Sequence, residues 1–146
     1  MALRKSSAPP ESRLVLLVVG PCAADLLSVK DMLPSNWTVN TARDADEAKG
    51  ILLSMPVPVI LCESELPGGN WKDLLVIIAG IRRPPLLIVT SRLADEYLWA
   101  EVLNLGGHDV LAKPFNSTEL VQVVSMAGRR WKDEWGIGES AMAQNA

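Results

Sequence analysis

A chain of 146 residues, 49% apolar and 21% charged, is long enough to bury one substantial core and too apolar to be disordered throughout. Fourteen Lys and Arg against seventeen Asp and Glu leave a net charge of -3, too weak a balance to suggest a nucleic-acid surface. No apolar run approaches the roughly 20 residues of a membrane span, so neither nucleic acid nor a membrane is expected as a partner.

The opening "MALRKSSAPPES" is small, polar and aperiodic, and residues 1–12 are expected to be a flexible leader. With the apolar run that follows, it faintly resembles a secretion signal. Glu11 interrupts its basic part, Leu14–Val19 is short for such a signal, and Pro21 precedes Cys22, so a strand behind a loose leader is the better account. That strand is "RLVLLVV", Arg13–Val19. A helix should follow over Ala23–Leu33, with Leu26, Val29, Lys30 and Leu33 at helical spacing and Pro34 ending it.

"WTVNT", Trp37–Thr41, is the second strand. Asp44 and Glu47 then have the spacing of a helix cap and its partner, Ala45, Ala48, Ile51, Leu52 and Met55 recur at helical period, and Pro56 stops the run. "VPVILC", Val57–Cys62, is the third strand. The composition of "LLVIIAG" would suit a strand, but Asn70 and Asp73 offer a cap, so Trp71–Ala79 is expected to be a buried helix. "PLLIVT", Pro85–Thr90, is the fourth strand, and a fourth helix near Ala94–Leu105 should end at Gly106-Gly107. "DVLA", Asp109–Ala112, is the fifth strand. Asn116 and Glu119 open a last helix striped by Leu120, Val123, Val124 and Ala127, which Gly128 should weaken before Trp131.

Arg82-Arg83 and Arg129-Arg130 lie beside helix ends, where cations suit the macrodipole. The runs around Leu16, Ile60 and Ile88 are apolar without alternation, as in parallel strands covered on both faces, and should be central. Strands alternating with helices imply an α/β fold with a doubly wound parallel sheet and right-handed crossovers. One domain over 13–131 is expected, then a flexible tail over 132–146 with no second domain, in a reduced, cytoplasmic setting. In such a sheet function gathers at the carboxyl ends of the strands, where Gly20, Glu63, Thr90 and Lys113 would lie.

"VILCESELPGG", "LLIVTSR", "GGHDVLAKPF" and, after the second strand, "ARDADEAKGIL" together resemble the receiver domain of two-component response regulators, over about Arg13–Trp131. The resemblance implies a flavodoxin-like (βα)5 fold, a five-stranded parallel sheet of order 2-1-3-4-5, taking a phosphoryl group in a phosphorelay. It places Pro67-Gly68 four residues after the phosphoacceptor, Thr90 at the end of the fourth strand and Lys113-Pro114 at the end of the fifth.

The departures are chemical. The phosphoacceptor position carries Glu63 instead of Asp, the acid pair after the first strand is replaced by Gly20-Pro21, and the aromatic switch three residues before the Lys is replaced by Val110. Phosphoryl transfer to a carboxylate needs Mg²⁺ in a strict oxygen octahedron, so metal binding should be weak or absent and ordinary phosphorylation should fail. Asp25 falls inside the first helix and is poorly placed to substitute. Glu63 either pairs with Lys113, partly imitating a phosphorylated site, or is a solvated remnant.

A non-enzymatic module working by protein contact follows, its partner a histidine kinase or a downstream signalling protein. Two other functions compete: a working phosphoacceptor with substitute metal ligands, and a small flavodoxin-like ligand-binding or catalytic domain with a deep pocket above Gly20. His108 is the only histidine, which excludes a triad or a multi-His metal site, and neither glycine pair forms a nucleotide-cradling loop. Cys22 and Cys62 are either buried and inert or a thiol switch. Tyr97, Trp99, Trp131 and Trp135 are either interface anchors on the face of the fourth helix, fifth strand and fifth helix, where a homodimer could form, or rings folded over the domain's own core.

Overall fold

The computed structural model describes residues 13–136, so the leader and the end of the expected tail lie outside the described residues. The chain runs β1 (Val15–Val19), α1 (Ala23–Met32), β2 (Thr38–Ala42), α2 (Ala45–Ser54), β3 (Val59–Glu63), a miniature hairpin of β4 (Glu65–Leu66) and β5 (Gly69–Asn70), α3 (Lys72–Ala79), β6 (Leu86–Ser91), α4 (Glu96–Asn104), β7 (Asp109–Ala112) and α5 (Ser117–Trp131).

The principal sheet is parallel, in the order β2-β1-β3-β6-β7. Counting only its own five strands, this is the expected 2-1-3-4-5, with the three non-alternating runs at the centre. Successive side chains point to opposite faces, so each central strand feeds two cores. Leu17, Ile60 and Leu87, aligned by register, pack with Leu52, Leu74, Ile78 and Val102 of α2, α3 and α4. Leu16, Leu61 and Ile88 pack on the opposite face with Leu26, Val29, Leu120 and Val124 of α1 and α5.

The local signals act as their chemistry requires. Asp44 Oδ1 accepts from Glu47 N at 2.9 Å and Asn116 Oδ1 accepts from Glu119 N at 3.0 Å, satisfying donors that the first helical turn leaves unpaired. Asn70 Oδ1 accepts from Lys72 N at 2.8 Å while Asp73 Oδ2 accepts from Asn70 N at 3.1 Å, so the apolar segment after it is a helix. Asp95, with no place in the expected pattern, caps α4 by accepting from Leu98 N at 2.9 Å, which moves that helix's start from Ala94 to Glu96.

Two expectations about α5 are corrected. The helix runs unbroken through Gly128 to Trp131, and Gly128 is a packing position: a Cβ there would come within 2.6 Å of Leu14 Cδ1. Beyond Trp131 a π-helical turn, Lys132–Gly136, continues the helix into what was expected to be tail. Among the described residues no helix is long and apolar enough to cross a membrane.

Candidate functional site

Four chain segments converge at the carboxyl edge of the sheet. Glu63 ends β3 in register with Thr90 of β6, and Lys113 leaves β7 with its N–H on Ser91 O at 3.0 Å. Gly20 follows β1 with its N–H on Ala42 O at 2.9 Å. These residues line one cleft with Cys22, Asp25 and Phe115, leaving a cavity of about 20 Å³. That admits a water molecule, whereas small-molecule sites occupy roughly 300–1,000 Å³.

Lys113 is the centre of the site. Its side chain is 7% exposed, and Nζ donates both to Glu63 Oε1 and to Asp25 Oδ2, the latter at 2.8 Å. The sequence allowed the first partner, and weighed Asp25 only as a substitute metal ligand, for which it was discounted. Asp25 does lie inside α1, but in its first turn, where Cα–Cβ bonds tilt toward the helix N-terminus and hence toward the strand ends. The hydrogen bond from Lys113 holds the Asp25 carboxyl below its ordinary pKa, partial desolvation opposes this, and the charges of Lys113 and Arg92 and the Cys22 thiol assist. Asp25 and Arg92 are the site residues that sequence reasoning missed; an acid in the first turn of the helix after β1 was the available signal for Asp25.

Gly20 and Pro21 supply no carboxylate, and Gly20 is buried against Glu63. Thr90 is buried at the cleft. The Lys113–Pro114 peptide is cis, and Pro114 is exposed. Val110 is half-buried and packs on the α2–α3–α4 core.

The two cysteines differ. Cys22 is exposed at the cleft mouth, so the buried alternative does not hold for it, while Cys62 is buried with its thiol donating to Glu63 O at 3.2 Å. Burial pushes the Cys62 thiol up to about 12, with Asp73 adding to the shift. Thiol alkylation of the native protein at pH 8 should therefore modify Cys22 alone, with Cys62 following only on unfolding; rapid modification of both would contradict this. Between the ordinary thiol pKa of 9.0 and about 12 the unfolded chain binds fewer protons at Cys62 than the folded one, so this group should lower stability as pH rises.

The aromatic residues divide as well. Trp71 is core at 2% exposure, whereas Tyr97 and Trp99 are 86% and 52% exposed. Glu101 pairs with Lys72 of α3 at 2.7 Å, which fixes the α3-facing flank of α4. Trp99, about 200° from Glu101 around the axis, lies on the other flank with Leu103 one turn on, and Tyr97 shares the flank of Glu101. The two rings thus do not form one patch. Trp131 folds back, its indole N–H donating to Pro84 O at 3.1 Å with the Arg83 guanidinium 6.0 Å from its ring centroid, and Trp135 is half-buried.

The sequence model of the family described as "Response regulator receiver domain" matches residues 26–125. The hydrogenase transcriptional regulatory protein HoxA of Cupriavidus necator is 30% identical over 119 residues, 80% of this chain and 24% of its own length. The transcriptional regulatory protein CpxR of Escherichia coli is 29% identical over 109 residues, 73% of this chain and 46% of its own. This chain therefore spans less than half the length of either relative. Among solved structures, the signal receiver domain of an HD domain-containing protein from Pseudomonas fluorescens is similar with a TM-score of 0.75 and 25% identity, over 83% of this chain and 98% of that one.

Proposed function

The chain belongs to the response regulator receiver domain family, and from that premise we propose that it is a receiver whose site is closed by its own ion pairs, so that it signals through protein contact without being phosphorylated. The observation that carries this proposal is Lys113, whose ammonium is bound by both Glu63 and Asp25 where the incoming chemistry would need a free carboxylate.

Mg²⁺ does not fit these residues. It demands near-octahedral oxygen ligation at about 2.0–2.1 Å. Here positions 20 and 21 carry no ligand side chain, and both nearby carboxylates are engaged by one ammonium. No group of three or more His, Cys, Asp or Glu that could hold a metal occurs among the described residues. Glu63 in its pair with Lys113 has the longer reach that a standing imitation of the phosphorylated site requires. With Val110 in place of an aromatic switch, nothing at that position would swing when Thr90 changed partners. The module has no catalytic role in this proposal and works in the cytoplasm.

Its partner is a histidine kinase or a downstream signalling protein, and the flank of α4 bearing Trp99 and Leu103 supports a contact there, with a second copy or with that partner. The test is incubation with acetyl phosphate and Mg²⁺, read by intact mass. No phosphoryl adduct is expected; one phosphoryl group mapped to Glu63 would overturn the proposal and favour a working phosphoacceptor.

A further inference from the structure

Gly20 and Glu63 approach each other more closely than two ordinary residues could. A Cβ built on Gly20 would lie 2.8 Å from Glu63 Cγ, with Glu63 Cβ at 3.7 Å and Cδ at 3.8 Å. Carbon atoms attract best at about 3.5–4.0 Å, so the first contact is repulsive while the others are ordinary. The backbone of Gly20 does not occupy the left-handed region, so a side chain there would be excluded by space alone.

Neither backbone is free to yield. Gly20 is buried and tied to β2 through Ala42 O, and Glu63 is fixed by its pairing with Thr90 across β3 and β6. The obstructing atom is the middle of the Glu63 side chain, not its tip. Moving Cγ means rotating χ1, and that rotation carries the carboxylate away from Lys113. Two departures that look separate in the sequence thus touch: Cγ of the acid at position 63 lodges where a side chain at position 20 would begin.

We propose that Gly20 is a positioning residue for the Glu63–Lys113 pair, its missing side chain being the seat that holds the Glu63 carboxylate on the ammonium. This deepens the proposal of an ion-paired site, but it concerns only the resting contact. Its test uses no phosphoryl donor, so the two proposals fail independently.

Lys113 reports the contact, because its ammonium becomes more reactive once a carboxylate leaves it. Brief amine acylation of the full chain, quantified by mass spectrometry at Lys113, should be slow in the parent protein. It should speed up about tenfold in Gly20→Ala, the equivalent of one hydrogen bond between charged groups, and by a similar factor in Glu63→Ala. Adding Gly20→Ala to Glu63→Ala should change the rate less than about twofold, since the obstructing Cγ is already gone. The thermal midpoint should show the same pattern, falling for Gly20→Ala only while Glu63 is present. If Gly20→Ala does not fold, rescue of folding by the added Glu63→Ala supports the proposal. Parent-like labelling in Gly20→Ala, an undiminished effect in the Glu63→Ala background, or failure of both variants to fold would overturn it.

Discussion

Lys113→Met should unfold at lower urea concentration than the parent, with a loss of about 2 kcal/mol at pH 7. That figure lies between two limits: an exposed ion pair contributes about 0–1 kcal/mol, while removing one partner of a fully buried pair costs about 3–5 kcal/mol. The site is intermediate, with the Lys113 side chain 7% exposed and those of Glu63 and Asp25 at 24% and 37%. Methionine keeps most of the aliphatic volume, so the loss reports the charge. Without the ammonium, two carboxylates share one cleft with no cation between them.

The pH dependence of that loss has a definite sign. Asp25 has a folded pKa depressed below its ordinary 3.8, chiefly by the Lys113 hydrogen bond. Its contribution is complete above 3.8 and disappears as pH falls through the lower folded value. Lys113→Met removes the depression, so the difference between parent and variant should narrow in acid. Urea denaturation of both at pH 7 and pH 3 measures it, and an equal difference at the two pH values would mean that the Asp25 contact contributes nothing.

Trp71→Ala should cost more, about 4 kcal/mol, within the roughly 3–5 kcal/mol typical of emptying a buried Trp or Phe site. Trp71 is 2% exposed and packs in the core between the sheet and α2, α3 and α4. Its backbone holds the entry to α3, with N–H on Ser64 O at 3.2 Å and its carbonyl accepting from Leu74 N at 3.0 Å, and both bonds survive truncation. The loss is therefore one of side-chain packing, and it is a large share of the 5–15 kcal/mol that keeps a domain folded. A thermal or urea melt reads it; Trp71→Phe should recover much of the loss, and a cost below about 1 kcal/mol for Trp71→Ala would contradict the packing assigned to this ring.

What could be read from the sequence was what neighbours in the chain decide. Asp44 and Asn116 cap helices through contacts three residues away, and Leu16, Ile60 and Ile88 mark central strands by the company they keep. The Glu63–Lys113 pair spans 50 residues and was foreseeable only because a family resemblance set both positions side by side. Asp25 spans 88 residues to reach Lys113 and had no such guide. Trp131 likewise finds Pro84 across 47 residues, so composition alone could count the tryptophans without sorting core from surface. The seat at Gly20 is less legible still, because what the sequence records there is only the absence of a side chain.

The two cores have a consequence for how the site can communicate. β3 sends Ile60 and Cys62 to one face and Val59 and Leu61 to the other, and the same strand ends in Glu63. A force that draws Glu63 along the strand axis acts on both layers in a single stroke, because a close-packed interior transmits displacement and does not absorb it. β3 is a drive shaft with the ion-paired cluster at its end, and it touches the layer of α1 and α5 on one side and the layer of α2, α3 and α4 on the other.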